Sequence, residues 1–407
     1  MYSWGGNRGR QLVLSSEKSR FLRGQPYRLP METSYKEQEK GPDQWSEGSI
    51  HIIGSRQYGG ADRFYVRLVR ALAARGHRVL AVNRPGAPVH QALKNLVPQK
   101  FVPMMNGFDL YSMWQIRRLV GTYRFPIIQT YMGRATRLTR LPKRVPAIHI
   151  ARLGGFYKID GYYRHADVWV GNTKGVCDYL VSEGFPASRV FHIGNFVDTP
   201  RRLSQDERLQ YRKRWQIPQD AFVIATLGRF IPLKGFQDLL TAISLGPTPS
   251  KDRPVVWIIA GDGPMGPELR EKARKLEIEA YVRFPGWQDD PAAVYSLADL
   301  FVCPSRHETL GNVILEAWSY GVPVVATKTP GPLELIQPDE NGFLVDVGEP
   351  RRLASLIDRV VNSEEGVLRE MGRKGMRLVQ DRYSEQSVVE SYESLYRILL
   401  ASGSFVR

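Results

Sequence analysis

Residues 50–76 read IHIIGSRQYGGADRFYVRLVRALAARG. IHIIGS is a short unbroken apolar run of the kind a fully buried strand needs, and Gly59-Gly60 punctuates it. ADRFYVRLVRALAARG then sets Phe64, Leu68 and Leu72 on one face of a helix. The unit recurs outward from here through VLAVN (79–83), FVPM (101–104), IIQTY (127–131), AIHIA (147–151) and VWVGN (168–172), and VFHIGNFVDTP (190–200) closes the series. A second series follows in FVIATLGRF (222–230), VVWIIAGDG (255–263), YVRFPGW (281–287), LFVCPS (300–305), PVVATK (323–328) and GFLVD (342–346). Two helical stretches, about 364–382 and 384–402, end the chain. Apolar strands alternating with helices predict the α/β class: two doubly wound parallel sheets in tandem, facing each other across a cleft. The domains predicted are 49–198 and 199–383, with a C-terminal segment 384–407 whose helix packs back on the first. Residues 1–48 are polar and aperiodic, which predicts a disordered extension, with Met31 as an alternative start.

The charge is uneven. The chain carries a net +16 over 407 residues, but residues 1–198 hold 30 basic and 13 acidic side chains, whereas 199–407 hold 27 and 28. Nearly all the excess lies in 51–144, with 17 basic residues against 2 acidic. One half is therefore expected to meet something anionic: nucleic acid, an acidic membrane surface or a phosphorylated substrate. Cys177 and Cys303 stand far apart without metal-ligand spacing, which excludes a disulfide scaffold and a cysteine-rich zinc module and fits a reducing cytosol. No apolar run approaches the roughly 18–20 residues that span a bilayer, and residues 1–30 lack the apolar core of a signal peptide. A soluble or peripheral protein is expected.

Ligands of doubly wound sheets bind at the carboxyl ends of strands, so the segments after strands are the informative ones. Gly228-Arg229-Phe230-Ile231-Pro232-Leu233-Lys234-Gly235 puts two cations there, a fork and a point charge suited to a diphosphate, although alone it reads equally as a solvated basic loop. Gly261-Asp262-Gly263-Pro264 allows close backbone approach before a helix. Pro304-Ser305-Arg306-His307-Glu308-Thr309-Leu310-Gly311-Asn312 leads into a helix that carries Glu316. Leu310, Gly311 and Asn312 fall where the first helical N–H groups have no intrahelical acceptor, an anion cradle. Carboxylates beside it, at Glu308 and Glu316, suit sugar and ribose hydroxyls. Pro330-Gly331-Pro332 reads as a rigid structural turn.

Gly59-Gly60, Gly228-Arg229 with Lys234-Gly235, Gly261-Asp262-Gly263-Pro264, the Glu308–Glu316 pair, and GVPVVAT with its Pro-Gly-Pro follow one another in an order that resembles the retaining GT-B glycosyltransferases of the group 1, glycogen-synthase-like family. The resemblance spans residues 50–400 and implies two Rossmann-like domains. It also implies that Arg229 and Lys234 grip the diphosphate of a nucleotide sugar, here expected to be a UDP-sugar, that Glu316 binds the ribose, and that Glu308 contacts donor-sugar hydroxyls. Gly59, Gly60, Gly261 and Gly263 and the amides of Leu310–Asn312 complete the donor side. Transfer with retention is implied, with the leaving phosphate helping to deprotonate the acceptor. No Asp-x-Asp occurs, so the two cations are expected to replace a metal, and no metal or cofactor is expected.

The resemblance places the acceptor on the first domain. Candidates there are Arg56 in the glycine loop, Gly154-Gly155 after the strand Ile148-His149-Ile150-Ala151-Arg152, and Asn195 between the domains. Arg152 occupies the place where many relatives carry a histidine. An arginine is no general base, but it can steady a phosphate or an anionic acceptor. His149, mid-strand, reads as a buried core histidine. Arginines interleaved with Trp114, Tyr123, Phe125 and Tyr131 suit an anionic bilayer surface. The expected partners are thus a nucleotide sugar, a glycolipid or phosphorylated glycan acceptor, and the cytoplasmic face of the inner membrane, in lipopolysaccharide or other envelope glycan synthesis. A soluble glycan synthase, or an epimerase or hydrolase on the same fold, is the alternative. A nucleic-acid-binding protein lacks any supporting signature.

Overall fold

The computed structural model describes residues 48–246 and 253–402. The expected N-terminal extension, the alternative start at Met31 and the last five residues lie outside the described residues. The first sheet holds β1 (Ser49–Ile53), β2 (Val79–Asn83), β3 (Gln99–Phe101), β4 (Ile127–Tyr131), β5 (Ile148–Leu153), β6 (Val168–Gly171) and β7 (Val190–His192) in the order β3-β2-β1-β4-β5-β6-β7. The second holds β8 (Phe222–Leu227), β9 (Val255–Ala260), β10 (Val282–Arg283), β11 (Leu300–Cys303), β12 (Val324–Thr327) and β13 (Gly342–Val345) in the order β10-β9-β8-β11-β12-β13. Every pairing between these strands is parallel. Both are doubly wound Rossmann-like sheets of the same order. Each reverses direction beside its own first strand, β1 or β8, and that switch point is where a crevice opens.

The strands read as continuous apolar runs because helices cover both faces. In β1, Ile50 and Ile52 enter the core on one face of the sheet and Ile53 the core on the other. Phe64, Leu68 and Leu72 of the helix Gly60–Ala74 cover that second face. Burying one such side chain contributes roughly 1.5–3 kcal/mol, which fixes register as well as stability.

The chain crosses from the first sheet to the second after β7 and returns near Tyr383. The crossings touch: the Val197 N–H donates to the Tyr383 carbonyl at 3.4 Å, and a β-carbon on Gly194 would lie 2.8 Å from the Tyr383 ring. The helix Glu385–Ser402 then lies in the core of the first sheet. Its Val388, Val389, Tyr392, Leu395, Tyr396 and Leu399 share a cluster with Phe64 and Leu68. The Tyr396 hydroxyl donates to Gln129 Oε1 at 2.7 Å, and Glu393 pairs with Arg75 and His77.

Candidate active site

The switch point of the second sheet is built from three interlocked loops. Gly235 has φ +68°, and a β-carbon there would sit 1.9 Å from the Pro304 carbonyl oxygen. Gly261, at φ +143°, would clash equally with the Gly228 carbonyl. Only glycine lets the loops after β8, β9 and β11 approach so closely. The Leu233 carbonyl accepts from the Arg306 and His307 amides at 2.9 and 3.3 Å. Gly331 lies beneath the third loop. Its N–H donates to the Glu308 carbonyl at 2.9 Å, and a side chain there would strike Leu310. The Pro330-Gly331-Pro332 turn is therefore the floor of the Glu308–Leu310 segment.

On this scaffold the Lys234 ammonium forms an ion pair with the Glu308 carboxylate, which also accepts from the Ser305 hydroxyl at 3.2 Å. Burial alone would lower the lysine pKa. The facing carboxylate outweighs it and holds Lys234 above its ordinary value, so it stays charged. Arg229 is exposed on the same cleft, and its guanidinium has no hydrogen bond or ion pair among the described residues. The helix Asn312–Ser319 begins at Gly311, φ +92°, with no side-chain cap. Its first amides and the positive end of its dipole therefore face the cleft. Glu316 sits one turn further in. It accepts from the Tyr295 hydroxyl at 2.8 Å and lies 3.8 Å from Arg67. Burial first, then this carboxylate, raises the Tyr295 pKa well above the usual value, so the phenol remains a donor.

The first domain closes the cleft, whose volume is about 310 Å³. Tyr58, Gly59 and Gly60 line it opposite Arg229 and Lys234. A β-carbon on Gly60 would lie 3.5 Å from Asn312 Nδ2. Asn195 Nδ2 donates to Asn312 Oδ1 at 2.9 Å, and the Arg152 guanidinium donates to Asn195 Oδ1. Arg152 is only 2% exposed and lies 3.9 Å from the Phe64 ring centroid. It orients Asn195, which in turn holds the start of the helix, and it does not face the cleft as an anion ligand. His149 is buried, with Nε2 2.9 Å from the Thr130 hydroxyl.

Of the residues singled out from sequence, Gly59, Gly60, Arg229, Lys234, Gly261, Glu308, Asn312 and Glu316 converge on the cleft. Others stand behind it. Gly263 lies against the Phe230 backbone, Leu310 points its side chain into the core, and Gly311 caps the helix. A β-carbon on Gly155 would lie 3.4 Å from the Thr309 hydroxyl across the domain boundary, and one on Gly154 3.4 Å from Arg152. Arg56 is exposed outside the cleft.

Sequence reasoning missed Arg63, Arg67, Trp287 and Glu334. Arg67 reaches Asp198 at 2.6 Å as well as Glu316. Arg63 lies 5.7 Å from the exposed Trp287 ring. Glu334 accepts from the amides of Lys174 and Gly175 at the start of a first-domain helix. Only the position of Trp287, just after a strand, was a usable signal.

Two family models match the chain, one described as glycosyl transferases group 1 over residues 207–377 and one as glycosyltransferase family 4 over residues 58–201. The chain is 31% identical over 339 residues to the lipopolysaccharide core biosynthesis glycosyltransferase LpsE of Rhizobium meliloti (strain 1021), covering 83% of this chain and 95% of that protein. LpsD of the same organism is 30% identical over 341 residues, with the same coverage. The crystal structure of Anabaena HepE in complex with UDP and glucose superposes with a TM-score of 0.75 at 19% identity, over 86% of this chain and 100% of that one, a likeness of fold.

Proposed function

Because the chain belongs to the glycosyl transferases group 1 family and is a glycosyltransferase, we propose that it transfers a sugar, with retention, from a UDP-sugar to a lipid-linked or phosphorylated glycan of the cell envelope. The observation that carries this reading is the unpaired Arg229 beside the Lys234–Glu308 pair, opposite an uncapped helix start. Two cations and a row of free amides stabilise a departing diphosphate more than a bound one, which is electrostatic catalysis. Glu316, with one oxygen held by Tyr295, takes ribose hydroxyls. Glu308 takes donor-sugar hydroxyls while Lys234 turns toward phosphate. As the bond to the leaving phosphate lengthens, its oxygen receives the acceptor proton, and the new glycosidic bond forms on the same face. Arg229 and Lys234 supply the charge a divalent ion would otherwise supply, so turnover should survive EDTA.

UDP is favoured as the nucleotide because HepE, of the same fold, is described with UDP. A lipopolysaccharide-type acceptor is favoured because LpsE and LpsD carry that function in their names. The acceptor domain adds its own support. Met105, Phe108, Leu110, Tyr111 and Trp114 form an exposed apolar edge, with Phe108 and Leu110 73% and 76% exposed. Arg137 lies 3.9 Å from the Phe108 ring and Arg118 5.5 Å from that of Trp114. Aromatic side chains stacked with cations suit the headgroup region of an anionic bilayer. Among the described residues no helix is long and apolar enough to cross a membrane, and we read the protein as peripheral on the cytoplasmic face.

The test is a thermal-shift screen against nucleotide sugars, since a ligand that binds only the folded state raises its melting temperature by mass action. UDP-sugars should stabilise the protein and Lys234→Ala should blunt the shift. No response to any nucleoside diphosphate sugar sinks the reading.

A further inference from the structure

The switch point of the first sheet carries a second cationic cluster. β2, β1 and β4 are adjacent and parallel, so the residues that follow them emerge at one edge. Those residues include three arginines: Arg56 in the loop after β1, Arg84 immediately after β2, and Arg134 in the helix after β4. Arg134 Nη1 donates to the Gly54 and Met104 carbonyls at 3.4 and 3.3 Å, fastening the cluster to two neighbouring loops. Arg84 is 4% exposed, yet its Nη1 has no hydrogen-bond partner among the described residues. Among the described residues the exposed Arg56 side chain has no hydrogen bond or ion pair either.

A buried guanidinium without a partner is costly and unusual. Burial first, then repulsion from Arg56 and Arg134, pulls Arg84 below its ordinary pKa. Asp109 is the acidic group that opposes this, and its oxygens are already engaged by the Met105 and Ser112 amides and the Ser112 hydroxyl. The cluster is therefore short of negative charge. Arg56 lies in the same loop as the cleft-lining Tyr58 and Gly59, and Arg134 holds the Met104 carbonyl next to Met105 of the exposed apolar edge.

We propose that Arg56, Arg84 and Arg134 form a phosphate site for the acceptor, holding a phosphate ester between the apolar edge and the donor cleft. Three guanidiniums gathered at one sheet edge match the several oxygens of a phosphate better than a lone carboxylate. The inference rests on the acceptor lying on the first domain, as proposed above. The same chemistry belongs to a lipid phosphate headgroup and to a soluble phosphoglycan.

The test is made in an Arg229→Ala/Lys234→Ala background, which removes both donor-cleft cations, and the site is read from the difference that Arg84→Gln makes within it. Inorganic phosphate is titrated by calorimetry, and vesicles of phosphatidylcholine with and without phosphatidic acid are sedimented with the protein. Adding Arg84→Gln should weaken phosphate binding about tenfold, as expected for loss of one charge-assisted contact. In the absence of anions it should also raise the melting temperature, because an unpaired buried charge is removed. A purely structural arginine would do the reverse. Phosphatidic acid enhancing sedimentation through Arg84 identifies the lipid as source, and phosphate binding without that enhancement identifies a soluble phosphoglycan. Unchanged phosphate affinity in Arg84→Gln, or acetate competing as well as phosphate, overturns the site. UDP titrated into the chain without substitutions reports the donor cleft separately, so phosphate held by the trio in a protein that ignores UDP would support this site and overturn the donor reading.

Discussion

Lys234 and Glu308, 74 residues apart, meet across the switch point of the second sheet as an ion pair. The pair holds two loops in register and, on the reading proposed for the cleft, stores a cation where a diphosphate is to depart. Lys234→Ala should lower kcat about a hundredfold to a thousandfold, the usual effect of removing one transition-state donor. Lys234→Arg should recover part of it. Wild-type kcat in Lys234→Ala, measured at saturating donor, would remove this lysine from the mechanism.

Glu316 and Tyr295 form a graded pair. Glu316→Ala should weaken donor binding by about tenfold or more, since hydrogen bonds to a charged group contribute roughly 1.5–3 kcal/mol. Tyr295→Phe removes only the hydroxyl that orients the carboxylate and should cost less. Isothermal titration with UDP ranks the two, and the reverse order contradicts the ribose assignment.

Arg152, Asn195 and Asn312 couple the domains in series. Asn195→Ala should raise KM for the donor about fivefold, the equivalent of roughly one net hydrogen bond, with little change in melting temperature. If Asn195→Ala lowers stability and leaves KM alone, the chain of contacts is structural only.

His51 is fully buried, with its ring nitrogens against the Ser49 and Tyr131 hydroxyls. Burial first, and then the charge of His77, lowers its pKa to about 3. An unfolded histidine takes up its proton near about 6.5. Between these values the unfolded chain binds the extra proton, so stability falls as pH falls from about 6.5 toward 3 and is full above that window. His51→Gln should flatten this acid limb by about 1.4 kcal/mol per pH unit, one proton's worth. Denaturant midpoints at several pH values measure it, and an unchanged slope removes His51 as the cause.

Phe108→Ser/Trp114→Ser should abolish binding to anionic vesicles while leaving turnover of a water-soluble acceptor analogue intact. Binding by the wild type should weaken with salt, because the cationic share of the attraction is screened over about 8 Å at physiological ionic strength. Vesicle binding that neither salt nor the double substitution alters would dismiss the apolar edge as the docking surface.

The fold was legible because parallel strands buried on both faces leave unbroken apolar runs, and VVWIIA or IIQTY announce themselves without an alignment. Glycines after strands were equally legible: Gly235 and Gly261 stand where no side chain fits. What stayed hidden is whatever one domain contributes to the other. Arg67 lies on the polar side of an amphipathic helix and reads as solvated until Asp198 and Glu316 are brought to it. Arg152 was visible at the end of its strand, but the direction of its guanidinium depends on Asn195, 43 residues on. Glu334 caps a helix it does not belong to. Contacts of that kind carry no periodicity, and a charged side chain reads alike whether it meets water or a partner.

The two crossings between the sheets leave and return side by side, bonded to each other at Val197 and Tyr383. Two adjacent tethers at one edge permit rotation about the line that joins them and resist sliding. Opening must therefore be a single swing, widest at the far rim and least near Asp198. The Asn195–Asn312 bond and the Glu334 clasp on Lys174, whose carboxylate lies 3.5 Å from His192, both sit close to the pivot. Product release by such a swing works against every contact between the jaws at once, Arg67 on Glu316 and Arg63 beside Trp287 among them, so a lid made of whole domains takes its rate from their sum.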